Sequence, residues 1–132
     1  MKVADASVLV EYLTEGKHAE ASRACLQSNP GWLWAPFIVD AEVGHALRAN
    51  VRAGEISARS AYAALTDLLE MRLQRVSNRF LAERAWELRQ NVSFYDGLYV
   101  ALAEALDAPL VTLDSRLAKA PGVQAEIELV GP

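Results

Sequence analysis

A chain of 132 residues, 52% hydrophobic, is long enough to bury a core of its own and needs neither a disulfide framework nor a structural metal to fold. Its lone Cys25 excludes an internal disulfide, and no stretch approaches the roughly 20 uninterrupted apolar residues that span a bilayer, so the expected setting is a reducing cytoplasm. A formal net charge of −4 argues against binding nucleic acid by bulk charge, yet between Arg48 and Arg89 eight arginines face five acids, leaving that segment at +3 and the remainder at −7.

In chain order, Lys2-Val-Ala-Asp5 reads as a short strand, and Ser7 to Leu13 as a helix that starts almost at once. Asp5 and Glu11 interrupt the apolar run, which is too short for a signal peptide. Lys17 to Gln27 reads as an amphipathic helix closed by Asn29-Pro30-Gly31, and Trp32 to Ala35 as a second strand. Pro36 suits the first turn of a helix running to about Ala53, with Gly54 as its stop. Ser57 caps a further helix to Met71, after which Arg72 to Val76 is a strand and Arg79 to Asn91 is helical. From Asp96 to Leu106 the helix has almost no polar face and is expected to be packed on most sides. Leu110 to Leu113 is a buried strand, Ser115 to Ala118 a short helix and Ile127 to Val130 a last strand. Strands alternating with helices, without hairpin signals, predict an α/β fold with a central, mostly parallel sheet flanked by helices, in one domain over residues 1–132.

Asp5 and Asp114 share a context, an apolar strand followed by Asp and then a residue that opens a helix, and Asp96 stands at the mouth of the apolar helix. Each has an ordinary structural explanation as an N-cap. Glu42 lies beside an apolar stripe of Ile38, Val39 and Ala46, where a carboxylate is costly unless it is paired or binds a cation. Helical phase does not choose between Glu42 and Asp40. In a parallel sheet, however, strand ends gather at one edge, so Asp5, Asp114 and Asp96 converge and repel one another unless a divalent ion neutralises them. All-oxygen ligation points to Mg²⁺ or Mn²⁺.

Taken jointly, Val3-Ala-Asp5-Ala-Ser7, Glu42, Tyr95-Asp96-Gly-Leu-Tyr-Val-Ala-Leu-Ala and Thr112-Leu-Asp114-Ser-Arg-Leu117 resemble the PIN-domain nucleases, and within them the VapC toxins of prokaryotic toxin–antitoxin modules. The resemblance implies a PIN-like fold and an endoribonuclease that hydrolyses RNA phosphodiester bonds, in tRNA or rRNA, with Mg²⁺ or Mn²⁺. It implies that Asp5, Glu42, Asp96 and Asp114 form the acidic metal site and that Ser7 and Thr112 orient it. It selects Glu42 over Asp40. Arg116 stands just after Asp114, where some members carry a further acid, and offers either a phosphate contact or an ion pair with Asp114 or Glu42. A VapB-type antitoxin and a homodimer are the implied partners. Phe37, Tyr62, Leu65, Leu69, Trp86 and Leu88 supply apolar surface for them beyond what a small core requires, although core packing explains each equally well.

Two rival readings stand beside this one. An aspartate-dependent Mg²⁺ phosphatase expects a second Asp two residues after the first, where this chain has Ser7, and a lysine partner, for which Lys2, Lys17 and Lys119 are the only candidates. A catalytically degenerate protein-binding module is disfavoured by the intact quartet. No Gly-rich phosphate loop is present.

Overall fold

The computed structural model describes residues 1–28 and 31–131, so Asn29 and Pro30 of the expected turn lie outside the described residues. The elements run β1 (Lys2–Ala4), α1 (Ala6–Thr14), α2 (Ala19–Gln27), β2 (Leu33–Pro36), α3 (Ile38–Arg52), α4 (Ala58–Glu70) and β3 (Leu73–Val76). They continue with α5 (Ala82–Glu87), α6 (Phe94–Leu106), β4 (Leu110–Thr112), α7 (Ser115–Lys119) and β5 (Ile127–Leu129). The five strands form one sheet in the order β3-β2-β1-β4-β5, and every pairing is parallel.

This order places a reversal at β1. From β1 the chain winds outward through β2 and β3, then returns to add β4 and β5 on the other side. The two halves part at the carboxyl ends of β1 and β4, the crevice where open parallel sheets place their ligands. Asp5 follows β1 directly, and Asp114 follows β4 by one residue.

Buried Val3, Ala4, Ala35, Leu110 and Val111 make the centre of the sheet, as expected of strands covered on both faces. Helix α6 packs against α5 and against β1, β2 and β4, and the run from Gly97 to Ala103 is buried throughout. Its lack of a polar face is thereby accounted for. Helix α1 packs against α2, α3 and α4 through Val8 and Leu9.

Three local expectations are corrected. Pro36 ends β2, opposite Val76, instead of opening the following helix. Strand β1 pairs with β2 through Lys2 with Leu33 and Val3 with Trp34, so a proline at position 36 interrupts neither pair. The segment expected as one helix from Arg79 to Asn91 is divided into a 3₁₀ turn at Asn78–Phe80, started by the Ser77 hydroxyl, and the short α5. Its last turn tightens because the Leu88 N–H is shared between the carbonyls of Arg84 and Ala85. Helix α6 begins at Phe94, two residues earlier than expected, because Ser93 caps it by accepting the Asp96 N–H at 3.0 Å.

Of the surplus apolar residues, Phe37, Tyr62, Leu69 and Trp86 are exposed, whereas Leu88 belongs to the core. Cys25 is not the plain core filler its type suggests. It is half-buried and donates to Glu128 Oε1 at 3.0 Å, and burial together with that carboxylate pushes its thiol up to about 11.

Candidate active site

Asp5 is reached by two hydroxyls, one from β4 across the crevice and one from the first turn of its own helix α1. Thr112 Oγ1 donates to its Oδ2 at 2.6 Å and Ser7 Oγ donates to the same oxygen at 3.0 Å. Each hydroxyl also accepts from the β4 end, Thr112 Oγ1 from the Asp114 N–H at 3.1 Å and Ser7 Oγ from the Leu113 N–H at 3.3 Å. Both are therefore bridges that fix the Asp5 carboxylate against the strand carrying Asp114. Thr112 is fully buried. Asp5 occupies the N-cap position of α1 but makes no capping bond with its side chain, so the N-cap explanation does not account for its chemistry. Burial drives its pKa up, against the pull of the two hydroxyls, and the Asp114 charge adds to the rise.

Asp96 is not the cap of α6 either, since Ser93 holds that position and leaves Asp96 in the first turn. Its carboxyl is pushed up by burial and then by repulsion from Asp5 and Asp114. Glu42, on α3, accepts a hydrogen bond from Tyr99 Oη at 2.7 Å, and it too is pushed up by burial and by the charges of Asp5 and Asp96. The Tyr99 phenol, almost wholly buried, is driven well above its ordinary range by burial and by Glu42. Carboxyls on α3 and α6 thus both feel the charge of Asp5, which follows β1.

The choice between Asp40 and Glu42 is explained by the opposite side of α3. Asp40 is clamped by Arg75 through Nε at 2.7 Å and Nη2 at 2.8 Å, while the same guanidinium bonds the carbonyls of Leu68 and Leu73. Asp40 ties α3 to β3 and the end of α4, and it does not join the cluster.

Asp114 behaves differently from the other three acids. It caps α7 by accepting the Arg116 N–H at 2.9 Å, and the Arg116 guanidinium closes on both its oxygens at 3.1 and 3.0 Å. That pair pulls its pKa below the ordinary value. Asp114 and Arg116 share with Asp96, Asn91 and Ser93 the lining of a small cleft of about 180 Å³. Among the described residues, no three acidic, His or Cys side chains converge closely enough to hold a metal ion as they stand. The donor set is nonetheless one of hard oxygens, and three of its members, Asp5, Glu42 and Asp96, are carboxyls raised chiefly by burial.

Residues 2–123 match the family model described as PIN domain. The chain belongs to the PIN domain family. Over 97% of its length this PIN domain is 48% identical to Ribonuclease VapC1 of Mycobacterium tuberculosis, of which it covers 96%. It is 37% identical to Ribonuclease VapC12 of the same species, over 98% of this chain and 99% of that one. Among solved structures the fold resembles M. tuberculosis VapC20, described as a Sarcin-Ricin loop cleaving toxin, with a TM-score of 0.70 at 20% identity over 90% of this chain and 95% of that one. It also resembles VapBC2 from Rickettsia felis bound to a DNA fragment from its promoter, with a TM-score of 0.67 at 18% identity over 98% of both chains.

Two residues that hydrogen-bond to members of the acidic cluster were not singled out from the sequence. Ser93 had a visible signal, the Ser-x-x-Asp spacing of a capping box. Tyr99 stands three residues after Asp96 and so shares its face of the helix, but only the packing of α6 near α3 reveals that its hydroxyl serves Glu42.

Proposed function

We propose that this PIN domain is an endoribonuclease of the VapC toxin kind that hydrolyses phosphodiester bonds of structured RNA, tRNA or rRNA, with Mg²⁺ or Mn²⁺ held by Asp5, Asp96, Asp114 and Glu42. The observation that carries the reading is the placing of Asp5, Glu42 and Asp96 at the switch point of the sheet, all three pushed up by burial, with the charge of Asp5 adding to the rise of both Glu42 and Asp96. Burial makes their ionisation expensive, and a divalent cation is the partner that offsets it. The relatives named above are ribonucleases by name, which supports RNA as the substrate.

A bound ion would polarise the attacking water and the phosphoryl oxygen. The chain's own part is to hold the carboxylates in place. Thr112 and Ser7 fix Asp5 from both sides of the crevice, and Tyr99 keeps one oxygen of Glu42 turned toward α6. Tyr99→Phe removes that positioning bond and is expected to lower RNA cleavage by about tenfold, read as a fall in kcat with circular dichroism unchanged.

Arg116 supplies the positive charge that Asp114 meets in the fold. Its side chain is 88% exposed, so the pair with Asp114 is weak and readily released to a metal or to the phosphate. Arg116→Ala is expected to raise Mn²⁺ affinity up to about fivefold, as followed by titration calorimetry. Unchanged affinity would leave Arg116 without a role at the metal.

Activity is tested by incubating the protein with total tRNA and rRNA, with and without Mg²⁺ or Mn²⁺, alongside Asp5→Asn. Divalent-dependent fragments that vanish with the variant are expected. Cleavage that survives both EDTA and Asp5→Asn overturns the reading. The exposed Phe37, Tyr62, Leu69 and Trp86 suit the further expectation of a homodimer and a VapB-type antitoxin.

A further inference from the structure

Beside the acidic edge lies a second concavity that the carboxylate chemistry does not use. It is a groove of about 430 Å³ lined by Ile38, Ala41, Glu42, His45, Ala46 and Tyr95. Glu42 belongs both to this groove and to the cluster with Asp5 and Asp96. Tyr95 immediately precedes Asp96 and is 57% exposed, so a large aromatic face is left uncovered next to the reacting groups. His45, one turn along α3 from Glu42, is also exposed and offers ring nitrogens at the rim.

Resting on the ribonuclease reading above, we propose that this groove is a nucleobase subsite, in which Tyr95 stacks on the base of a nucleotide flanking the scissile phosphate and His45 meets the polar edge of that base.

The occupant follows from charge and size. A chain with net charge −4 and a cluster of acids at its site gains little from long-range attraction to RNA, so affinity has to come from contacts that charge does not oppose. Stacking of a base on an aromatic ring is such a contact, and every base has a face to offer. A nucleotide also separates its parts as the groove does. The uncharged base lies along Ile38, Ala41, Ala46 and Tyr95, and the phosphate projects toward the carboxylates and their cation. A purely apolar protein segment laid in the same place would bury Glu42 further against carbon. The volume lies near the lower end of small-ligand cavities, about 300 to 1,000 Å³, which fits a nucleoside better than a docked helix.

The test uses the full chain with short single-stranded oligoribonucleotides carrying 2-aminopurine at successive positions, in Mg²⁺, with fluorescence and gel analysis on the same samples. One position is expected to be quenched on binding. Tyr95→Ala should abolish that quench and weaken binding by about tenfold or more, Tyr95→Phe should retain both, and His45→Ala should alter which base is preferred. Absence of a position-dependent quench with the native chain, or an equal quench with Tyr95→Ala, overturns the subsite. So does a result in which both variants bind the oligonucleotides normally and lose only a co-expressed antitoxin, since the groove is then a protein-docking surface. The two readings fail separately. A Tyr95-dependent quench without cleavage counts against the ribonuclease and keeps the subsite, whereas divalent-dependent cleavage indifferent to Tyr95 and His45 does the reverse.

Discussion

Asp5→Asn is expected to lower divalent-dependent RNA cleavage by at least about 10³-fold, roughly 4 kcal/mol of transition-state stabilisation, while leaving the protein folded. The side chain is nearly isosteric, and its amide oxygen can still accept from Thr112 and Ser7, so the packing around it is preserved. What is lost is the buried negative charge. The same change should stabilise the metal-free protein, with a definite dependence on pH. The folded-state pKa of Asp5 is raised, so between its unfolded and folded values the folded chain binds more protons than the unfolded one. Asp5 therefore makes stability fall as pH rises through that window. The advantage of Asp5→Asn should be smallest at pH values below the ordinary carboxylate range, grow through the raised pKa and level off above it. Urea titrations at several pH values with EDTA present read this directly. A variant less stable than the parent at neutral pH would show that Asp5 is not the desolvated charge described here, and a fully active one would remove it from the chemistry.

The second large effect concerns packing at Gly97. A Cβ built there would stand 3.1 Å from the Cα, Cβ and carbonyl oxygen of Ala85, so α6 and α5 approach with only a hydrogen between them. The clash is mainly with backbone, which cannot swing aside as a flexible side chain would. Gly97→Ala sets that crowding against the better helix propensity of alanine, worth about 1 kcal/mol, and is expected to change stability little. Gly97→Val gains less in helix propensity and adds two further methyl groups, so it should cost about 3 kcal/mol and move α6 away from α5. Because Asp96 is the preceding residue, activity should fall further than the loss of folded protein explains. Denaturant unfolding together with cleavage per folded molecule separates the two effects. A Gly97→Val protein as stable and as active as the parent would mean that the two helices part without cost.

The two cases differ in how they could be known beforehand. The carboxylate at position 5 is conspicuous in the sequence, because an apolar strand ending in Asp and followed at once by a helix has few uses. Gly97 in DGLYVAL is conspicuous only as a glycine within a helix, and its neighbour Ala85 lies in another helix. A contact between residues on separate helices is not written in the pattern of either one. The Pro36 misreading has a similar origin. Proline suits both a first helical turn and a strand end, and the choice is made by β3, whose Val76 pairs with it.

By itself, the sequence determined the α/β alternation, the parallel sheet, and the placing of Asp5 and Asp114 at strand ends, because strand length, apolar runs and turn residues are local quantities. The family resemblance added the proposed quartet and the hydroxyls Ser7 and Thr112, both of which donate to Asp5. The residues alone left Asp40 and Glu42 equal, and packing supplies the physical reason for the resemblance's choice, since Arg75 from β3 claims Asp40 and Tyr99 from α6 holds Glu42. The fold also leaves Asp5 at the N-cap of α1 without a side-chain capping bond and Asp96 inside the first turn of α6, while Asp114 caps α7 through the Arg116 N–H. The reason is physical. A carboxylate's partner is whatever donor the fold brings within hydrogen-bonding distance: for Glu42 and Asp40 it lies 57 and 35 residues away, and of the two hydroxyls on Asp5 one, Thr112, lies 107 residues away.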